Sequence, residues 1–339
     1  MKIGRFVTLM CALSLWSSVA LADVLLVGNK SGHTLWLLDL YSGEQLAELP
    51  TGIGPHEVEV SPDGRLAVVS NYGERGQAGA TLTVVDLASR EVSNTIELDA
   101  ASRPHGLAFI DSQQIAVTAE GVDQVFVVDL TTGEIVQRFA VAPGLAHMVA
   151  AQADPATLWV TNLGTGTLEK LDLSSGEVHG PIVTGDGAEG VAVVAARSEV
   201  WVTNRAANTV SVIDTDSLTV VADLPSPGFP IRAAVTPDQR HVLVTNAIAN
   251  QVRVFDVATR EVVADVLVAD PEAEYRPSLL GTTALPIGLA IEPNGQRAFV
   301  AISGGDQVAV IDTASWTVVD RWASGREPDA LAVAIAAPQ

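Results

Sequence analysis

The sequence predicts an all-β fold, a seven-bladed β-propeller with four-stranded blades. The first observation is that seven apolar strands each end in an aspartate, and these aspartates recur about every 42 to 47 residues except over the last interval, which is longer. The second is that a further apolar strand precedes each of them, often ending in Val-Thr-Asn. The third is that Gly, Pro and Asp turns separate the strands, with almost no helical periodicity. The seven aspartates are Asp39, Asp86, Asp129, Asp172, Asp214, Asp256 and Asp312.

Each repeat contains four strands in a constant order. A first strand leads through a turn such as Ser61-Pro62-Asp63-Gly64 into the second strand, the one that often ends in Val-Thr-Asn. The third strand ends at the aspartate, where a short acceptor side chain caps the following turn. A fourth, outer strand closes the unit. Trp159 and Trp201 occupy matching second-strand positions, which favours packing between blades over a ligand platform.

The strand motifs carry a specific resemblance. The pairs LWVTN and LDLSSGE, VWVTN and VIDTDS, and VLVTN and VFDVAT resemble the YVTN family of propeller repeats. The likeness extends over all the repeats. It implies a seven-bladed propeller, but not an activity, because members of such a family differ in function.

The N-terminus has the features of a secretory signal peptide over Met1–Ala22. Lys2 and Arg5 precede an apolar run, and Ala20-Leu21-Ala22 ends it. We therefore expect cleavage after Ala22, one propeller domain over residues 23–339, and a periplasmic or secreted protein. Cys11 would leave with the signal, so the mature chain would have neither a disulfide nor a cysteine nucleophile.

The two ends of the expected domain should build one blade together. The chain after the signal begins at a second strand, Val24–Val27, and so lacks an inner strand of its own. The segment Glu327–Val333 has the pattern of the missing inner strand. Pairing of the two would close the ring and remove two strand edges.

Composition restricts the partners. The net charge is −21, and loss of Lys2 and Arg5 would make the remainder more acidic. Such a surface repels nucleic acid and anionic membranes, so we expect neither, and we expect self-repulsion to keep the protein a soluble monomer. A small molecule, or another periplasmic protein, is the expected partner. The sequence also lacks a G-x-S-x-G elbow and a phosphate-binding loop.

Titratable residues gather at one repeat position, the residue that follows the usual proline at the start of each inner strand. These residues should form a ring at one end of the central channel, here called the mouth. Five consecutive members are metal-competent or titratable and two are apolar. In ring order they are Asp329, His56, His105, His147, Glu189, Ile231 and Ile287.

Imidazoles together with carboxylates suit a divalent transition metal such as Zn, Cu, Fe or Mn. The candidate metal ligands are His56, His105, His147, Glu189 and Asp329. The next position along the strands adds Glu57 and Arg232 to the mouth, where Arg232 could contact an anion. Two other readings stay open: a metal-free ligand or acid–base site, and polar side chains bonded only to backbone or channel water.

A second, more local resemblance concerns the third repeat. Pro104-His105-Gly106 and the carboxylate Glu120 are similar to the inner-strand motif and strand-end glutamate of the virginiamycin B lyases, and Pro55-His56 resembles their neighbouring Pro-His. The resemblance implies a catalytic role for His105, metal binding by Glu120 and substrate contact by His56. Arg103 departs from the pattern, because an acidic ligand would be expected two residues before the histidine.

Two insertions lengthen connections on the same face, residues 73–80 and residues 269–284. Loops of this kind often bind ligands, and Tyr275 and Arg276 are the candidate contacts.

The sequence thus leaves three functions open. The first is a periplasmic metal-assisted lyase or hydrolase acting on a small molecule, with His105, Glu120 and Arg232 as catalytic residues. The second is a non-catalytic module that binds a metal, a cofactor such as a tetrapyrrole, or a partner protein. The third is a scaffold with an inert channel.

Overall fold

The computed structural model of the chain describes residues 23–154 and 156–335. These residues form seven four-stranded antiparallel sheets, the blades of a propeller, which confirms the predicted fold class. The signal peptide predicted for Met1–Ala22 lies outside the described residues. Within those residues, no helix has the length and apolar character needed to cross a membrane.

The strands follow the predicted order from the channel outwards: inner, second, third and outer. Blade 1 contains β30 (Pro328–Ala334), β1 (Val24–Asn29), β2 (Thr34–Asp39) and β3 (Gln45–Pro50). Blade 2 contains β4 (Pro55–Val60), β5 (Leu66–Glu74), β6 (Gln77–Asp86) and β7 (Glu91–Glu97). Blade 3 contains β8 (Pro104–Phe109), β9 (Gln114–Ala119), β10 (Gln124–Asp129) and β11 (Ile135–Ala140). Blade 4 contains β12 (Ala146–Gln152), β13 (Thr157–Asn162), β14 (Thr167–Asp172) and β15 (Val178–Val183).

The remaining blades repeat this arrangement. Blade 5 contains β16 (Ala188–Val194), β17 (Glu199–Asn204), β18 (Thr209–Asp214) and β19 (Thr219–Pro225), with a short 3₁₀ turn at Ala195–Arg197. Blade 6 contains β20 (Pro230–Val235), β21 (His241–Asn246), β22 (Gln251–Asp256) and β23 (Val262–Leu267). Blade 7 contains β26 (Pro286–Ile291), β27 (Arg297–Ile302), β28 (Gln307–Asp312) and β29 (Thr317–Ala323). Between blades 6 and 7 lies a small hairpin of β24 (Pro277–Ser278) and β25 (Gly281–Thr282).

Ring closure occurs in blade 1, where the last strand pairs with the first. β30 lies antiparallel to β1, with Leu26 opposite Ala332 and Val27 opposite Leu331. All six residues of β1 are buried. The predicted closure by the two ends of the described chain is therefore present.

The core lies between blades, because the apolar residues of each sheet face the neighbouring sheet. Trp159 and Trp201 are fully buried, and the ring of Trp201 lies 5.8 Å from that of Phe255 in the next blade. The third-strand aspartates cap turns as predicted: Asp39 accepts hydrogen bonds from the backbone N–H groups of Tyr41 and Ser42. Packing and capping account for most of the repeat pattern without a function.

Candidate functional site

The inner strands hold the mouth residues through a repeated irregularity. In most blades the first inner-strand residue pairs with the last residue of the second strand, and pairing resumes only at the fourth. In β8, for example, Pro104 pairs with Ala119 and Leu107 with Val117. The second and third residues leave the ladder there, as in a β-bulge. The second is the ring position identified in the sequence, so all seven predicted ring residues lie at this position.

Hydroxyl groups of the second strands fix the backbone of the ring. The Thr118 hydroxyl accepts a hydrogen bond from Gly106 N–H and donates one to the carbonyl of His147 in the next blade, at 2.7 and 2.6 Å. The hydroxyl groups at the matching position of four other second strands also donate to a backbone carbonyl of the next inner strand. These residues are Ser70, Thr161, Thr203 and Thr245. The threonine of Val-Thr-Asn therefore joins successive ring positions, a role that sequence reasoning missed.

Gly106 shows how closely the inner strands approach each other. A Cβ atom at Gly106 would lie 2.8 Å from the carbonyl oxygen of His147, which is nearer than real Cβ atoms come. The glycine of Pro-His-Gly thus permits the adjacent histidines of blades 3 and 4 to sit side by side.

The three predicted histidines form a stacked row. The ring centroids of His56 and His105 are 4.0 Å apart, and those of His105 and His147 are also 4.0 Å apart. His105 and His147 are buried, and His56 is partly buried. At this spacing each ring contacts the next in the row, so a charge on one strongly disfavours a charge on its neighbour.

His147 lies between two carboxylates. Its Nδ1 is 2.5 Å from Glu120 Oε1 and its Nε2 is 3.0 Å from Glu189 Oε1. Burial disfavours the imidazolium, but Glu189 and Glu120 outweigh it and raise the pKa of His147 to about 9. Burial likewise disfavours the Glu189 carboxylate, but His147, Arg232 and Arg205 lower the pKa of Glu189 to about 2. At neutral pH this group is a buried cation held between two anions.

His105 has the opposite electrostatic environment. Burial, followed by the nearby His147 and His56, holds the pKa of His105 well below its usual value. Its Nδ1 is buried and has no hydrogen-bond partner among the described residues. His105 is therefore neutral, beside a protonated His147. Neighbouring groups with pKa values displaced in opposite directions are typical of acid–base sites.

His56 and Asp329 belong to a separate cluster with Lys30. The Lys30 ammonium lies 2.9 Å from His56 Nε2 and 3.1 Å from Asp329 Oδ2. Burial would raise the pKa of Asp329, but Lys30, His56 and Arg232 lower it to about 2. The structure thus brings His105, His147 and Glu189 together with Glu120, whereas Asp329 joins them only through His56.

Arg232 crosses the channel below the ring. Its Nη2 bonds to Glu57 Oε1, which joins blade 6 to blade 2, and its Nη1 lies 3.6 Å from Glu189 Oε1. Nε and Nη1 have no hydrogen-bond partner in the described part of the chain. Arg232 lines both the mouth pocket and the channel cavity beneath it, so the Arg232–Glu57 pair separates the two.

The resemblance implied that Glu120 ends the second strand, whereas the strand ends one residue earlier, at Ala119. Ala119, not Glu120, pairs with Gln124 and Pro104 and so takes the position that is asparagine in several other blades. Glu120 is the residue after the second strand. The same position holds Lys30, Tyr72 and Arg205, which also reach the mouth. Of these four residues only Arg205 follows a Val-Thr-Asn triplet, so the triplet alone does not identify the position.

Tyr72 and Arg205 complete the polar side of the mouth. The Tyr72 hydroxyl donates to Glu120 Oε2 at 2.5 Å, and burial together with this bond raises the pKa of Tyr72 to about 12. Arg205 Nη1 lies 2.8 Å from Glu189 Oε2. Each carboxylate that binds His147 therefore has a second partner of its own.

The residue before each inner strand has a positive φ angle. Five of these seven residues are not glycine, and each has a φ between 49° and 68°. A non-glycine residue in this conformation costs about 1–2 kcal/mol. Because the same angle occurs before the inner strand of every blade, it is a property of the repeated turn rather than of individual mouth residues. The five residues are Arg103, Leu145, Phe229, Leu285 and Glu327.

The insertion at residues 269–284 reaches the mouth with residues other than those expected. Tyr275 binds Asp270 N–H, and Arg276 pairs with Asp306, so both anchor the insertion. The β24–β25 hairpin instead presents Leu279 and Leu280 to the mouth pocket. The other insertion, residues 73–80, prolongs the β5–β6 ribbon.

The channel cavity below the mouth contains a second carboxyl group besides that of Glu57. The cavity has a volume of about 340 Å³, and Glu59 lies on its wall. The fifth residue of every other inner strand is alanine, so Glu59 is the single ionisable member of that layer. Burial and the nearby Glu57 raise the pKa of Glu59 to about 8.

We expect Glu59→Gln to flatten the pH dependence of stability between pH 4.5 and 8. The folded protein holds the Glu59 proton more tightly than the unfolded chain, where the ordinary pKa is 4.5, so the contribution of Glu59 to stability falls as pH rises across this interval. The variant should unfold at higher urea concentration than the wild type at pH 8 and at a similar one at pH 4.5. Glu91→Gln, at an exposed glutamate of β7, is the control. Parallel pH profiles for wild type and Glu59→Gln would contradict the expectation.

Comparisons with solved structures show the same fold in proteins of different functions. The chain superimposes on hydrazine synthase of Kuenenia stuttgartiensis with a TM-score of 0.70 and 19% identity, covering 82% of this chain and 89% of that one. A dihydro-heme d1 dehydrogenase in complex with DHE gives 0.65 and 18%, with 93% and 66% covered. Virginiamycin B lyase from Staphylococcus aureus gives 0.65 and 11%, with 80% and 84% covered. At these identities the likeness shows the fold alone.

The sequence comparisons address the family directly. A search of curated proteins finds no match. A family model described as a YNCE-like beta-propeller matches residues 103–274, half of the chain, and this segment includes His105, Glu120, His147, Glu189 and Arg232. The match agrees with the strand motifs, the seven blades and their order, and the chain belongs to the YNCE-like β-propeller family.

Proposed function

We propose that this propeller is a periplasmic or secreted metal-assisted lyase or hydrolase acting on a small molecule, with one divalent transition metal held at the mouth by His105, His147 and Glu120. One observation carries the proposal: a ligand atom from each of these three side chains lies within 4.8 Å of the other two. Two imidazoles and a carboxylate form a donor set suited to Zn, Fe, Mn or Cu.

The surroundings of the three side chains fit such an ion. His105 is neutral and its buried Nδ1 is unpartnered, which is the state of a histidine available as a ligand. His147 would have to release its proton, and Glu120 and Glu189 would then compensate the charge of the ion. His56, Glu57 and His105 form a second group of close ligand atoms, but Lys30 and Arg232 already engage His56 and Glu57.

A bound ion would polarise a carbonyl group or activate water. The protein residues would supply the rest of the chemistry. Arg232 would hold an anionic group of the substrate through its free N–H groups, and Glu189 would keep His147 in position. Without a metal, the neutral His105 and the protonated His147 would still form a proton-accepting and proton-donating pair.

A non-catalytic role is the second candidate. The mouth pocket has a volume of about 450 Å³ and one apolar side, so it could hold a cofactor such as a tetrapyrrole. A dihydro-heme d1 dehydrogenase that shares the fold has been solved in complex with DHE, which supports this alternative. A partner protein could also bind across the same face.

Metal content tests the proposal. The protein would be loaded separately with Zn²⁺, Mn²⁺, Fe²⁺ and Cu²⁺, desalted and analysed for metal. We expect about one ion per chain, and loss of that ion in His105→Ala and His147→Ala. His241→Ala, at a histidine far from the ring in the repeat, is the control that should keep it. A folded wild-type protein that retains none of these ions would rule the metal site out.

Turnover then separates the enzyme from the binding module. The loaded protein would be assayed on a panel of esters, lactones and elimination substrates. We expect one class to be consumed and this activity to fall at least about 100-fold in His105→Ala, the usual order for loss of a general base or ligand. Stoichiometric metal with no turnover on any class would favour the non-catalytic alternative.

A further inference from the structure

One side of the mouth pocket is apolar. The ring positions of blades 6 and 7 are Ile231 and Ile287 rather than titratable residues, and they face the same pocket as the histidines. The residues before their strands, Phe229 and Leu285, also line it. The pocket therefore has a polar half on blades 1 to 5 and an apolar half on blades 6 and 7.

An exposed apolar side chain borders the apolar half. Leu279 is completely exposed at the tip of the β24–β25 hairpin, beside Leu280. An exposed leucine at the rim of a pocket with an apolar wall points to contact with a ligand.

Arg232 lies where the two halves meet. It follows Ile231 in the chain and is 7% exposed. Glu57 occupies its Nη2, whereas Nε and Nη1 have no hydrogen-bond partner among the described residues. Nη1 lies 3.6 Å from Glu189 Oε1, but the two atoms do not form a hydrogen bond. A buried guanidinium with free N–H groups binds the oxygen atoms of a carboxylate.

We propose that the mouth binds an amphipathic carboxylate. Its carboxylate reaches Arg232, and its apolar body lies on Ile231, Ile287, Phe229 and Leu285 beneath the Leu279–Leu280 tip. The inference rests on the proposed function in that it identifies the class of ligand for the same site. A pocket of about 450 Å³ accepts a ring system or a chain of drug-like size. In this position the ligand's carboxylate end lies next to Glu189 and His147.

Two matched fluorescent probes test the inference: 1-pyrenebutyrate, and 1-pyrenebutanol with the same apolar body and no charge. Fluorescence titrations would be made in EDTA, so that binding does not depend on the metal. We expect the carboxylate to bind the wild type at least about tenfold more tightly than the alcohol, the effect of one charge-assisted pair. Arg232→Gln should abolish this preference and leave the affinity for the alcohol unchanged.

The hairpin variant Leu279→Ser/Leu280→Ser should weaken both probes to a similar extent. Val263→Ser/Leu267→Ser, at exposed residues of the outer strand β23, is the matched control and should weaken neither. Arg232→Gln leaves the Glu57 carboxylate without its partner and could prevent folding. In that case the double variant Arg232→Gln/Glu57→Gln, in which neither side chain is charged, would be used in the titration instead. Equal affinity for the two probes, or no effect of the hairpin variant, would overturn the inference.

The same variants separate this inference from the metal proposal. Leu279→Ser/Leu280→Ser should still bind about one ion per chain, because no metal ligand is changed. His105→Ala should lose the ion but keep its preference for the carboxylate probe. Metal binding without probe binding would reject only the ligand class, and probe binding without metal would reject only the metal site.

Discussion

Deletion of Glu327–Gln339 should lower the melting temperature by about 10 °C or more, or prevent cooperative folding. The deletion removes β30, the inner strand of blade 1, and exposes one edge of β1, whose residues are all buried. It also removes the buried apolar side chains of β30 and opens the ring between blades 7 and 1. A loss of several kcal/mol corresponds to a shift of this size in a domain of this length.

The control deletion removes only residues 336–339, which follow β30. It keeps every residue of β30, so the pairing with β1 is retained and the variant should melt within about 2 °C of the full-length protein. Thermal unfolding followed by circular dichroism measures both deletions. If the longer deletion melted at the wild-type temperature, pairing of β30 with β1 would not be what closes the ring.

Replacement of His147 by glutamine should destabilise the metal-free protein by about 3–5 kcal/mol at pH 6. The change removes the cation between Glu120 and Glu189 and leaves buried carboxylates with fewer partners. The destabilisation caused by His147→Gln should become smaller as pH rises. The pKa of His147 is raised to about 9 from 6.5, so its contribution is fully present below pH 6.5 and is lost as pH rises through 9.

Urea unfolding in EDTA at pH 6 and at about pH 10 measures this dependence. The double variant Glu120→Gln/His147→Gln, which removes one of the uncompensated carboxylates, should be more stable than His147→Gln alone. Together with Glu120→Gln alone, these proteins form a double-mutant cycle for the buried pair. A deficit of the same size at both pH values would show that the lost contribution is packing rather than charge.

The repeat sequence was enough to predict the propeller and the members of the ring. Apolar alternation, turn residues and strand-end aspartates are local properties of each repeat, so they identify strands without knowledge of their neighbours. The register of Val-Thr-Asn against the inner strand also repeats, which is why His56, His105 and His147 were assigned to one ring. Closure by the two ends followed from the strand missing at the start of the domain.

The positions after the second strands were harder to recognise. Lys30, Tyr72, Glu120 and Arg205 differ in size and charge, so the position carries no residue pattern. Their convergence on the mouth depends on the turn that follows each second strand. For Glu120, the sequence placed a carboxylate near the end of the second strand, but the pairing of Ala119 with Gln124 was needed to give its register.

The sequence by itself determined the blades, their order, the closing pair of strands and the seven residues that face the mouth. Only the tertiary structure decided which of these residues interact. Three interactions bring together residues that are far apart in the chain. His105 stacks on His147, Arg232 bonds to Glu57 across the channel, and a long insertion places Leu279 at the mouth pocket. The physical reason is that a repeat sets the direction of each side chain, whereas the distances between blades follow from closing the ring and packing its buried charges.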